Sequence, residues 1–533
     1  MAPSSIPGAG SGVFVTKDVP KGTEFFGGDV AVPLLDVSLY FPNFDVSFIN
    51  YMWAADTHHS KFEAWEVDMI ELSPLGTLAN HHDEFHNLSL RPGPHDDTRL
   101  HRAVDREAGA FSYHGGERYF AKYDLKAGSE LYQFYGESWF NDRFGKLAKI
   151  PKTISYESEA SITGDGQVNE AKDSQERRPV EWIKEHGICL DTLESRPSTI
   201  SNAGKGAFAK FAFSKGDRIA PIPLLHVMDK ERFALRSWNV DDSGQRVTGE
   251  QIIGTQLLLN YCFGHPESTL LLCHTTNAAL INHRTAKTNQ DEMKPNAMIQ
   301  WAKGADSNWL GESLATLQSK MGRGLMFDLI ATRDIRKGEE IFIDYGDEWD
   351  RRWNQHLSLR TNLPKANSYK QTDFMNMDFS NWIKTRKQQN LVPYPDNIMT
   401  VCVYDFDDEE EEKEIDTTEM SIKQMIEIFG KSGESQLPSR DLSEHRNYFP
   451  CIVYEKHDNN TCTVRIFQDV YDFEVEHDEA GLPTILFNYP QSSIYFVNRP
   501  YASDNFLDDA FREPIGIPDD MFPPVWRNLS PHV

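Results

Sequence analysis

Apolar and polar positions alternate over short spans along this chain, most legibly at residues 333–346. Lys337-Gly338 marks a turn there, and Glu340 and Asp344 bracket Ile341-Phe342-Ile343, which predicts a short half-buried strand. The strand would deliver Tyr345 to its end, where Gly346 lets the backbone turn away. A phenol in that position can give or accept a hydrogen bond at a reacting group. Past residue 447 the pattern is β throughout. Residues 449–454 and 461–467, joined by His457-Asp458-Asn459-Asn460, read as a hairpin, and 485–487 and 493–497 as further strands. A small barrel is expected from them.

Helical signals are fewer. Pro179 at a first helical position and Gly187 past the end bracket a helix at 180–186. Residues 348–356, 380–389 and 421–429 read as helices, and the acidic run 407–412 as a solvated loop. Residues 156–178 are polar, with little to bury, and read as a linker.

The apolar pattern also repeats. Ala9-Gly10-Ser11-Gly12-Val13-Phe14 echoes Ala203-Gly204-Lys205-Gly206-Ala207-Phe208, an offset of 203 − 9 = 194. Leu78-Ala79-Asn80-His81 echoes Leu280-Ile281-Asn282-His283, an offset of 280 − 78 = 202. Asp124 to Leu131 echoes Asp334 to Ile341, and Tyr135-Gly136 echoes Tyr345-Gly346, at 345 − 135 = 210. Conserved order with a slowly growing offset predicts two copies of one domain.

Composition narrows the function. The formal charge is 54 − 81 = −27, which argues against direct nucleic-acid binding and suits a basic protein partner. Hydrophobic content of 39% supports ordinary cores in a chain of 533 residues, long enough for several domains. No apolar run reaches membrane length and no secretory pattern opens the chain. The cysteines at 189, 262, 273, 402, 451 and 462 show no zinc-ligand spacing. Free thiols in a reducing, intracellular setting, nucleus or cytoplasm, are the simplest expectation.

Taken singly, the motifs are weak. Gly204-Lys205-Gly206 could be a plain turn, Asn282-His283 a structural pair, and Tyr345-Gly346 core plus turn. Together and in order they are specific. A Gly-x-Gly-x-Phe strand, then Asn-His, then Arg333-Asp334-Ile335 through Asp344-Tyr345-Gly346 resembles the SET-domain protein lysine methyltransferases, twice in this chain. The resemblance implies an α+β, mainly β architecture. It would hold two SET-like β-clips with knot-like threading, plus the small carboxy-terminal β-barrel-like module. The expected layout is 1–145 for the first copy, 146–186 for linker and short helix, and 187–356 for the second, catalytic copy. A helical and acidic connection at 357–440 and the β module at 441–533 complete it.

The same resemblance implies S-adenosyl-L-methionine as cofactor and a lysine-bearing, basic protein segment as substrate, with no metal. Gly204, Lys205 and Gly206 would lie along the cofactor and Asn282 and His283 would contact it. Tyr345 would be catalytic, and Tyr261 would line the lysine channel. Gly12, Asn80, His81 and Tyr135 would form a second, weaker site in the first copy. The departures are Arg284-Thr285 after His283, a late Pro295-Asn296, and no cysteine cluster after Tyr345, so the channel must be closed by other means. The alternative is an inactive SET-like scaffold or binding module for basic segments. The carboxy-terminal module is weakly similar to Tudor and SH3-like readers. Tyr454, Phe467, Tyr495 and Phe496 would form either a cation-binding cage or, better supported by their alternation, a core.

Overall fold

The computed structural model describes residues 1–26, 30–35, 52–54, 67–72, 74–82, 84–92, 105–112, 114–115, 117–136, 177–240, 246–287, 294–303, 307–320, 324–359, 370, 372–404, 421–433, 448–467, 473, 483–499 and 509–529. The architecture is mainly β with few helices. The acidic run and nearly all of the expected linker lie outside the described residues.

In the amino-terminal segment, β1 (Ser11–Phe14), β2 (Val30–Leu35), β3 (Asn80–His81) and β4 (Glu130–Gln133) matter most. β1 pairs antiparallel with β4, and β3 runs parallel to β4 with Asn80 opposite Tyr132. Helix α1 (Val180–His186) follows and buries Ile183; Pro179 caps it rather than occupying its first turn.

The central segment holds β5 (Lys205–Ala209), β6 (Arg218–Val227), β7 (Cys262–Gly264), β8 (Leu271–His274) and β9 (Asn282–His283). β10 (Ala297–Trp301), β11 (Leu325–Ala331), β12 (Phe342–Ile343) and helix α2 (Asp347–Leu359) complete it. β9 runs parallel to β12 with Asn282 opposite Phe342. The strand before Tyr345 is not half-buried as its pattern suggested. Glu340, Ile341, Phe342 and Ile343 are all buried, because protein covers both faces.

Beyond α2, the expected helix at 380–389 is two, α3 (Phe379–Trp382) and α4 (Arg386–Leu391). The chain extends at Ile383, and a capping box between Thr385 and Gln388 starts α4 afresh. Next come β13 (Ile398–Val403), α5 (Ile422–Phe429), β14 (Gly430–Ser432) and β15 (Tyr448–Lys456). β16 (Thr461–Ile466), β17 (Thr484–Pro490), β18 (Ile494–Asn498) and finally β19 (Ile515–Gly516) end the series. The hairpin β15–β16 is where the pattern placed it. Among the described residues it belongs to a six-stranded sheet of order β14-β17-β16-β15-β13-β18. Phe467 and Phe496 are fully buried, and Phe496 packs on Phe379 and Tyr394 at 5.3 and 5.4 Å, so these aromatics are core.

β13 joins this sheet more than forty residues before 441, and the chain's end leaves it. β19 instead adds to the central sheet, whose order is β10-β11-β6-β8-β7-β19, with Phe263 paired to Ile515. One apolar core therefore gathers three stretches of sequence: Val30, Val32 and Leu34 of β2, the central strands, and Ile515, Ile517, Phe522 and Trp526. Trp526 is fully buried and donates its indole N–H to the Glu312 carbonyl at 2.9 Å.

The cysteines also differ from expectation. Cys262 and Cys273 face each other across β7 and β8 and form a disulfide, and Cys402 and Cys451 on neighbouring strands form another. Separations of 11 and 49 residues hid pairings that strand register creates. Cys189 and Cys462 are free thiols.

His274 of β8 lies fully buried in this core against Phe263, with no protein hydrogen-bond partner among the described residues for either ring nitrogen. Burial alone lowers its pKa to about 3. The unfolded chain binds a proton at this imidazole below about pH 6.5 while the folded chain does not, so acid favours unfolding from there down to about pH 3. Denaturant titrations of His274→Leu between pH 7 and 4 are expected to show a shallower loss of stability than wild type. Identical slopes would place the acid sensitivity elsewhere.

Candidate active site

Glu340 organises the site. Although its side chain is buried, it accepts hydrogen bonds from Ser198 Oγ and Thr199 N at 2.7 Å each, from Thr199 Oγ1, and from Asn282 Nδ2 at 3.2 Å. Asn282 Nδ2 also reaches Ser198 Oγ at 3.1 Å and the Lys205 carbonyl at 3.0 Å. The amide thus clamps the loop 198–206 onto β12. Gly206 sits beneath the clamp, where a Cβ would come within 2.1 Å of Glu340 Oε1. Gly204 has φ of +65°, and a Cβ there would meet the Phe111 ring at 2.6 Å. The two glycines are needed for close approach by a carboxylate and by an aromatic ring.

His283 locks the next layer. Its Nδ1 accepts from Tyr345 N at 3.0 Å and its Nε2 faces Asp350 Oδ1 at 2.9 Å, so the ring carries its proton on Nε2. The Tyr345 hydroxyl donates to the Ile281 carbonyl. Gly346, with φ of +95°, turns the chain into α2, and Gly516 N of β19 donates to the Tyr345 carbonyl at 2.8 Å. Tyr261 ends a 3-10 turn before β7, and its oxygen accepts from Ser112 N at 2.8 Å. Burial pushes the Tyr261 phenol up to about 12, and burial followed by the nearby Tyr261 raises that of Tyr345. Both are neutral hydrogen-bonding groups at physiological pH.

The departures in the motif are accommodated. Arg284 continues the ladder through its N–H to the Ile343 carbonyl at 3.0 Å and lays its guanidinium over Phe342, 3.8 Å from the ring centroid. Asn296, late in the sequence, still reaches β12. Its Nδ2 donates to the Glu340 carbonyl and its Oδ1 accepts from Phe342 N, both at 2.8 Å.

Lys205, Asn282, His283, Tyr261 and Tyr345 line one cavity of about 250 Å³, with Gly204 and Gly206 flanking Lys205. Trp349 and Trp353, one turn apart on α2, form an aromatic wall with Phe511; Trp349 stands edge-on to Tyr345 at 5.0 Å. The spacing of the two tryptophans on a predicted helix was a usable signal. Nothing in the sequence flagged Phe511, Phe111 or Ser112, which arrive from remote stretches.

Gly12, Asn80, His81 and Tyr135 are brought together elsewhere and do not line this cavity. Asn80 Nδ2 bonds Ser4 Oγ at 3.1 Å, the Ser11 carbonyl at 3.0 Å and Glu130 Oε1 at 3.3 Å. Tyr135 N donates to His81 Nδ1 at 3.0 Å, its hydroxyl to the Ala79 carbonyl at 2.6 Å, and a Cβ on Gly12 would meet Glu130 at 1.9 Å. The bonds of Asn80, His81 and Tyr135 repeat those of Asn282, His283 and Tyr345 in the central segment, while at Glu130 the Tyr132 hydroxyl takes the place that Thr199 Oγ1 has at Glu340.

Gly206→Ala is expected to destabilise the protein by about 1–3 kcal/mol, the usual cost of overpacking a filled site. Urea denaturation checks this, and an unperturbed midpoint would mean that Glu340 does not hold the loop.

The family model that matches is that of the SET domain, over residues 204–346. No curated protein matches. Among solved structures, a Plasmodium falciparum protein named as a candidate histone methyltransferase is 17% identical, over 30% of this chain and 98% of its own, with a TM-score of 0.18. A chain of an active polycomb repressive complex 2 in its stimulated state is 16% identical over 30% of this chain, and so is one from the Chaetomium thermophilum complex. Each of these matches takes up 16% of the other chain at a TM-score of 0.18. At such scores these likenesses carry no weight for fold or function. The stretch from Gly204 to Gly346 is what the SET-domain model matches in this chain.

Proposed function

We propose that this protein is an S-adenosylmethionine-dependent protein lysine methyltransferase whose working site is the central cavity. The observation that carries the reading is the convergence of Tyr261, Tyr345, the Asn282–His283 pair and Lys205 on one aromatic-walled pocket, within residues that match the SET domain. We read residues 1–145 as a second copy of the same domain, on the strength of the repeated clamp, and the sheet that begins at β13 as a separate module.

The pocket suits the cofactor: aromatic rings that can attract a cation and polar residues of the loop 198–206 line the same cavity. When bound, S-adenosylmethionine supplies an electrophilic methyl group on a sulfonium. Asn282 acts as the clamp that holds the cofactor loop, and His283 positions Tyr345 through its backbone N–H. Since the Tyr345 hydroxyl donates to Ile281, its oxygen is left to act as an acceptor, able to orient an amine N–H or a polarised C–H. The Tyr261 oxygen is held by Ser112 and keeps its own proton for a second contact. Neither phenol ionises near neutral pH, so neither is the base that deprotonates the acceptor amine. The acidic chain suits a basic, lysine-bearing protein segment as substrate.

Tyr345→Phe keeps the ring and its contacts with His283 and Trp349 while removing the acceptor. Single-turnover methylation of a lysine-containing protein is expected to slow by about tenfold to a thousandfold. Cofactor affinity should change little, with about 1 kcal/mol lost from folding as the Ile281 carbonyl loses its donor. An unchanged rate would move the chemistry away from Tyr345. Asn282→Ala is expected to weaken S-adenosylmethionine binding by about 1–3 kcal/mol through the loosened loop, more than Asn80→Ala does. Calorimetry showing the reverse order would make the amino-terminal copy the working one.

A further inference from the structure

Residues 105–112 belong to the amino-terminal segment, yet the central segment and the tail hold them. Arg106 Nη1 donates to the Leu357 carbonyl at 2.7 Å, and His356 Nε2 meets the Arg106 carbonyl at 2.9 Å. Arg512 Nη1 donates to the Gly109 carbonyl at 2.6 Å. Asn260 Nδ2 reaches the Ala110 and Phe511 carbonyls at 2.8 Å each, and its Oδ1 accepts from Glu513 N at 2.9 Å, so one side chain joins this segment to the tail. From this anchorage Phe111 lies against Gly204 of the clamped loop, and Ser112 N–H fixes the Tyr261 oxygen. Phe111 and Ser112 line the same cavity as Tyr345.

We propose that segment 105–112 is the missing wall of the methyl-transfer site, and that Phe111 is a positioning residue for the cofactor loop. On this account the two copies make a single enzyme. It rests on the reading of the central cavity as an S-adenosylmethionine site. The physical logic is water exclusion and loop placement. Gly204 is free to adopt its left-handed conformation, and the Phe111 ring restricts where the loop 201–205 can go. Transfer between a sulfonium and a neutral amine needs aligned partners and a dry site. Tyr261, next to Asn260 at the seam, would have its hydroxyl oriented by a backbone N–H that the central copy does not itself contain.

The test uses the full chain and S-adenosylhomocysteine as probe. In wild type, hydrogen exchange of peptides covering 105–112 is expected to slow when the probe binds, together with those covering 198–206. Phe111→Ala should bind the probe about tenfold more weakly, the loss of one well-packed aromatic contact, and raise KM for S-adenosylmethionine more than it lowers kcat. Phe111→Leu, still apolar over Gly204, should recover most of the affinity. Tyr123→Ala, at an exposed aromatic outside 105–112 that does not line the cavity, should behave as wild type. If wild type binds the probe but exchange at 105–112 is unmoved, or if Phe111→Ala binds as tightly as wild type, this proposal is overturned and the methyltransferase reading stands. Should wild type fail to bind at all, both fall. The exchange experiment needs no variant, so an insoluble Phe111→Ala would not protect the proposal.

Discussion

A buried carboxylate sets the geometry on which the rest depends. Glu340 lies out of water, where an unpaired acid would cost several kcal/mol, and its partners are Ser198, Thr199 and Asn282. Opening the loop 198–206 would strand that group. The constraint passes outward: Asn282 fixes β9, β9 fixes His283, and His283 fixes the backbone of Tyr345. Gly206 is glycine because the carboxylate occupies the space a side chain would need. Glu130 holds Ser4, Ser5 and Asn80 in the same manner, so the amino-terminal segment keeps the clamp even though its Asn-His pair lies away from the cavity.

A second constraint is closure. No cysteine cluster follows Tyr345 in the sequence, and the structure closes the pocket with the helix that follows directly and with two remote pieces of chain. Helix α2 contributes Trp349 and Trp353, the tail contributes Phe511 and pairs β19 with β7, and the amino-terminal segment contributes Phe111. Burial of Trp526, Phe522 and Ile517 in the central core anchors the tail, and burial of Val32 and Leu34 anchors the amino-terminal segment. Packing of this kind resists opening because large aromatic side chains would be exposed together.

Much of the site was legible in the sequence because its parts are local: a turn at Lys337-Gly338, a short strand, a tyrosine at its end, and an Asn-His pair. Ordered repetition of these parts exposed the second set at Asn80 and Tyr135. What the pattern could not convey was two-sided burial. Ile341, Phe342 and Ile343 read as half-covered because Glu340 looked like a solvent-facing residue rather than an internal hub. The disulfides were hidden for a related reason, since cross-strand register rather than sequence distance brings Cys262 to Cys273. The place of the tail was not legible because Ile515, Phe522 and Trp526 carry no local periodicity that would pair the first with Phe263 or bury the others in the central core. The helix at 380–389 failed on a single side chain, Thr385, whose cap begins a new helix within the predicted one.

Photocrosslinking is the measurement that reaches the central claim most directly. Ultraviolet irradiation of the full chain with methyl-labelled S-adenosylmethionine, followed by peptide mapping, reports which residues touch the cofactor without requiring a known acceptor. The label is expected on peptides containing Ser201–Lys205, Tyr345 and Trp349, which border one cavity. Label confined to peptides containing Asn80 and Tyr135, or no specific label at all, would contradict the account.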